Sequence, residues 1–136
     1  MNTKKAQISM EYLIMVSFVV FIVLSLLGLA LFYSSEITDT IKSSQVERFA
    51  NELTDSAESV YYSGEPSKLT ITGFVPAGVN SIEIKEKEII FNISTSSGVN
   101  LRSFSSNVPL TGALSPTEGM KKIKITAESD KVVISQ

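Results

Sequence analysis

Hydrophobic and polar residues fall into three successive patterns along this chain of 136 residues. From Tyr12 to Tyr33, 22 consecutive residues carry no charge, and most are Leu, Ile, Val, Phe or Met. The run is apolar all round, as in a helix enclosed on every side. At about 1.5 Å of rise per residue it would be roughly 33 Å long, which matches the hydrocarbon thickness of a bilayer. After Ser34 the pattern changes. Ile37, Ile41, Val46, Phe49, Ala50, Leu53, Ala57, Val60 and Tyr61 recur mostly at steps of three or four, with Glu36, Asp39, Glu47, Arg48, Glu52, Asp55 and Glu58 between them. This spacing predicts an amphipathic continuation of the same helix, packed on one side and wet on the other. No Pro precedes Pro66, and Gly64-Glu65-Pro66 supplies a stop. A helix from about residue 8 to 62, roughly 80 Å long, is therefore expected.

The last seventy or so residues alternate at period two. Leu69 and Ile71, Ile82 and Ile84, Ile89, Phe91 and Ile93, Val99 and Leu101, Ile123 and Ile125, and Val132 and Ile134 are each bounded by Gly, Pro, Asn or Ser. These predict short strands, with turns at Lys85-Glu86-Lys87-Glu88 and Ala127-Glu128-Ser129-Asp130. The expected fold class is α+β: a long N-terminal helix, apolar then amphipathic, packed on a small antiparallel sheet of five to seven strands. Residues 46–61 of the helix should cover one face of that sheet.

Composition narrows the chemistry. The chain has no Cys and no His, so thiolate or imidazole catalysis, disulfides and ordinary zinc sites are ruled out, and neither enzyme activity nor a cofactor is expected. Twelve basic and fourteen acidic residues give a net charge of -2, and the lysines are scattered. Nothing in that pattern predicts nucleic-acid binding. Glu83, Glu86 and Glu88 alternate with Lys85 and Lys87, a solvated strand and turn rather than a calcium loop.

Burying each large apolar side chain fully is worth about 1.5–3 kcal/mol, so the 12–33 run must always have apolar surroundings. Lys4 and Lys5 precede it, which keeps the N-terminus cytoplasmic and places residues 34–136 outside. Two processing routes differ in outcome. A conventional signal peptidase could cut after Gly28-Leu29-Ala30, leaving a product that starts at Leu31. Against this stand an apolar core longer than such peptides use, a carboxylate near its start, and the amphipathic helix that continues past the cut. The other route cuts between Ala6 and Gln7 and retains the helix.

Lys4-Lys5-Ala6 followed by Gln7-Ile8-Ser9-Met10-Glu11-Tyr12 resembles the class III signal peptide of archaeal type IV pilins, a short basic leader before Q-x-S-x-E-[YF] and an unbroken apolar helix. The resemblance is specific over the first 33 residues and looser beyond. It implies a leader at residues 1–6, a transmembrane and filament-core helix at 7–33, its amphipathic continuation at 34–63 and a β-rich head at 64–136. It implies that a membrane prepilin peptidase recognises Lys4, Lys5, Ser9, Glu11 and Tyr12 and cuts between Ala6 and Gln7. It further implies a membrane platform and a cytoplasmic ATPase that move the subunit from the bilayer into a homopolymeric surface filament used for adhesion. In such a filament Glu11 would meet the new α-amino group of Gln7 on an adjacent copy and set the axial register. A local role is the alternative, Glu11 complementing the helix dipole at headgroup depth. A minor pilin, a membrane-anchored binding module and an archaellin remain further readings.

Three weaker features complete the picture. Ser17 and Ser25 in the apolar run are expected to bond carbonyls of their own preceding turn. Gly28 should soften the helix by about 1 kcal/mol relative to Ala without stopping it. Asn92-Ile93-Ser94 is the sole N-x-[ST] sequence, and the opposite strand face belongs to Ile89, Phe91 and Ile93, so Asn92 should be exposed and is a candidate for N-glycosylation, in keeping with the resemblance.

Overall fold

The computed structural model describes the backbone of residues 3–136 and side chains from Ser9 onward. One helix, α1 (Thr3–Ser63), is followed by seven strands: β1 (Lys68–Val75), β2 (Val79–Lys85), β3 (Glu88–Thr95), β4 (Gly98–Ser105), β5 (Leu110–Gly112), β6 (Gly119–Ala127) and β7 (Val132–Ser135). The fold class is α+β, as the periodicities predict. The chain forms two compact units, residues 1–38 and 39–136. The helix ends where Gly64 takes the left-handed conformation, φ 75°, and its N–H reaches the Tyr61 carbonyl at 3.0 Å.

In the second unit the strands form two sheets rather than one. A four-stranded sheet has the order β1-β6-β7-β5, and a three-stranded sheet the order β2-β3-β4. Every pairing is antiparallel except β5 with β7, which is parallel. Hairpins close at the expected turns, with Lys85 opposite Glu88 and Ala127 opposite Val132. Strand β5 has only three residues and no alternation of its own, which is why the sequence pattern does not announce it.

The core lies between the helix and the inner faces of both sheets. Val46, Phe49, Ala50, Leu53, Ala57 and Val60 of α1 are buried with Ile71, Ile89, Phe91, Ile93, Ile123, Ile125, Val132 and Ile134 of the strands. Phe91 is fully buried and takes an edge contact from Phe49, with centroids 6.0 Å apart, and another from Phe104 at 5.7 Å. Gly73 lets the helix come close, because the space a side chain would fill there holds the Phe49 ring. The one buried hydroxyl side chain of this helical stretch, Thr54, is satisfied by the carbonyls of Ala50 and Asn51, each at 3.0 Å.

Two carboxylates fasten the helix to loops of the sheet layer. Asp39 Oδ2 accepts hydrogen bonds from the Ser96 backbone N–H at 2.8 Å and from its hydroxyl. Glu58 Oε1 accepts from the Asn107 backbone N–H at 3.0 Å and from Asn107 Nδ2 at 2.9 Å. Each carboxylate thus satisfies a backbone donor in a loop that has no strand partner for it.

Candidate assembly surface and modification site

The first unit is a stretch of α1. Every large apolar side chain from Tyr12 to Tyr33 is between 41% and 70% exposed. The helix is long and apolar enough to cross a membrane, and none of its most apolar window is buried within the chain. A core helix of a water-soluble domain would bury that stripe, so the segment requires either lipid or another protein surface. Near the N-terminus, such a helix can span a membrane or serve as a signal segment.

The two serine hydroxyls within this run are internally satisfied. Ser17 Oγ donates to the Leu13 carbonyl at 2.7 Å and Ser25 Oγ to that of Phe21 at 2.8 Å, the own-turn bonding expected of them. Beyond the helix's own backbone, the space a side chain would occupy at Gly28 is open. The helix surface is therefore largely apolar, with its serine hydroxyls turned back on the backbone.

The sequence-predicted site residues divide by position. The side chains of Lys4, Lys5, Ala6 and Gln7 lie outside the described residues, and with them the cleavage junction and the expected Gln7 partner of Glu11. Ser9, Glu11 and Tyr12 follow on α1, all exposed. Among the described residues Glu11 has no ion-pair partner.

Asn92 belongs to the second unit. The alternation of β3 buries Ile89, Phe91 and Ile93 and sends Asn92 to the outer face as expected, but there it is half-buried rather than exposed. There its Oδ1 accepts a bond from Asn80 Nδ2 at 3.3 Å, and its cross-strand neighbours are Ser81 and Leu101. Val99 and Leu101 share that outer face and are 66% and 68% exposed. Their alternation predicts a strand correctly, but its inward positions are Asn100, Arg102 and Phe104, opposite Ile93, Phe91 and Ile89.

The electrostatics of the second unit are set by short-range pairs. The hydrogen bonds from Ser96, side chain and then backbone, hold the Asp39 carboxyl below its ordinary range, with a smaller contribution from Lys42. Glu83 bonds Lys85 at 2.9 Å and raises the lysine above its usual value. Among the described residues, no three His, Cys, Asp or Glu side chains gather into a set that could hold a metal ion.

One charged feature is invisible to a linear reading. On the outer face of the four-stranded sheet, Lys68 lies opposite Thr126, Thr70 opposite Lys124 and Thr72 opposite Lys122. The Lys/Thr alternation of each strand is in the sequence, but their pairing across fifty residues is not. Comparison with models of known protein families, with curated proteins and with solved structures gives no match.

Proposed function

We propose that this chain is the structural subunit of an archaeal type IV pilus. It is inserted in the membrane by its N-terminal helix, cut between Ala6 and Gln7 by a prepilin peptidase, and polymerised into an extracellular adhesive filament by a membrane platform and assembly ATPase. The observation that carries this reading is the unpartnered apolar surface of α1 from Tyr12 to Tyr33. Such a surface leaves lipid only for another apolar surface, and neighbouring copies of the same helix provide one of matching length. The leader-like residues Lys4 to Tyr12 supply the processing signal, and the separate compact unit at residues 39–136 supplies the part that faces water.

In this scheme assembly exchanges one apolar solvent for another, so hydrophobic burial contributes little net preference for filament over bilayer. Packing between helices and the Glu11 to Gln7 contact must then supply the register. Loss of Lys4 and Lys5 with the leader takes the charge from -2 to -4, which favours solubility of the exposed heads.

The test combines electron microscopy of material sheared from cells with N-terminal sequencing of its protein. Filaments made of this chain, starting at Gln7, are the expected result. A start at Leu31, or protein confined to the membrane fraction without filaments, refutes the proposal; the latter outcome assigns the chain to membrane-anchored binding modules instead.

A further inference from the structure

Two surfaces of the second unit carry opposite charges. On the outer side of the four-stranded sheet, Lys68, Lys122 and Lys124 stand exposed among Thr70, Thr72 and Thr126. Residues two apart on a strand are separated by about 6.5–7 Å, so the three lysine positions fall within about 15 Å of one another. No carboxylate occupies the outward positions of β1 or β6, and among the described residues none of these three lysines forms an ion pair.

The solvent face of α1 in the same unit is acidic. Glu47, Glu52 and Asp55 are exposed there against the single cation Arg48, and none of the three carboxylates is paired among the described residues. The opposite side of this helical stretch buries Val46, Phe49, Ala50, Leu53 and Ala57 on the inner sheet faces, and Phe49 lies against Gly73 of β1. The acidic and basic surfaces therefore point in opposite directions, with the core between them.

That arrangement limits how two copies can meet. A two-fold contact made through either face would set like charges against each other. A heterologous contact sets acid against base and leaves each copy one free face of either sign, so the contact can repeat without closing. We propose that the second unit of one copy docks through Glu47, Glu52 and Asp55 onto the Lys68, Lys122 and Lys124 face of the next. This inference rests on the filament-subunit reading and names a contact between heads in addition to the packing of apolar helices. The three lysines lie on β1, the edge strand of its sheet, and on β6 beside it, so a neighbour that covers this part of the outer face reaches all three side chains.

The experiment uses the full chain and measures filament yield by microscopy and sedimentation. Three variants are compared with the parent: Lys122→Glu with Lys124→Glu, Glu52→Lys with Asp55→Lys, and all four together. Each single-face variant should lower yield by about tenfold or more, and the fourfold variant should recover most of it, since charge pairs restored in reverse attract equally. Recovery cannot come from a misfolded head. The milder Lys122→Gln with Lys124→Gln should give an intermediate loss that grows with added salt. Parental yield from the single-face variants, or a fourfold variant no better than its parts, overturns the contact while leaving the filament reading intact. Lysine variants that keep full yield but no longer bind an acidic polysaccharide resin also overturn it, assigning the face to a foreign polyanion. A parent chain that forms no filaments under any condition removes the filament reading itself.

Discussion

At the scale of single residues, the informative groups are carboxylates in unlike settings. Glu11 stands one residue before an uncharged run of 22 and has no ion-pair partner among the described residues. A carboxylate kept at an apolar interface is costly unless a cation meets it, so its removal should matter only where that cation is supplied. Glu11→Leu is expected to be inserted and cleaved normally and to yield about tenfold fewer filaments or less, by sedimentation of sheared material. Normal yield would dismiss the pairing with Gln7. Asp39 differs in that its partner is present within the chain. Ser96 bonds hold its carboxyl below the ordinary value, so folding is favoured by its ionised form, and that contribution is complete above the unfolded value of about 3.9 and lost as pH falls through the lowered folded value. The Ser96 amide should therefore exchange slowly above about pH 5 and lose that protection progressively below about pH 4. Asp39→Asn should remove the pH dependence, and an Ser96 exchange profile unchanged by that substitution would show the clamp to be absent in solution.

At the scale of elements, packing decides which alternations point inward. Helix α1 and six of the seven strands are legible because their apolar periods are local properties, complete within a few residues. The division into two sheets, the parallel β5–β7 pair and the outward turn of Val99 and Leu101 are not, since each depends on a neighbour distant in sequence. The same holds for Asp39 with Ser96 and Glu58 with Asn107, which join positions 57 and 49 residues apart. Of the candidate site, the apolar helix and the outward face of Asn92 could be read directly, whereas the lysine face needed the β1–β6 register. Gly73 tests the contact between the helix and β1. A methyl group there overlaps the Phe49 ring, and overpacking of this kind costs about 1–3 kcal/mol. Gly73→Ala should lower the urea midpoint accordingly, and the double variant Gly73→Ala with Phe49→Leu should lose less than the sum of the two single changes. Additive losses would mean that the ring moves away freely and that the helix is held elsewhere.

At the scale of the whole molecule, the two units have opposite needs. Among the described residues the buried core runs from Val46 to Ile134, all within residues 39–136, where the Asp39 and Glu58 carboxylates accept from the loop donors of Ser96 and Asn107. None of residues 12–33 belongs to that core, and every large apolar side chain among them is exposed. A chain beginning near Asp39 should therefore stay dispersed without detergent and unfold in one cooperative urea transition, while the full chain requires lipid, detergent or polymer to stay in solution. Removal of the first unit should leave the unfolding midpoint of the second nearly unchanged, because the described buried residues all lie within residues 39–136. If the shortened chain instead populates an expanded state that binds hydrophobic dyes, then the turns of helix before Asp39 are needed to nucleate the amphipathic stretch. The same shortened chain at high concentration isolates the head contact from helix packing. Charge pairing alone should give weak, salt-sensitive association visible by light scattering, and that association should disappear in Lys122→Glu with Lys124→Glu.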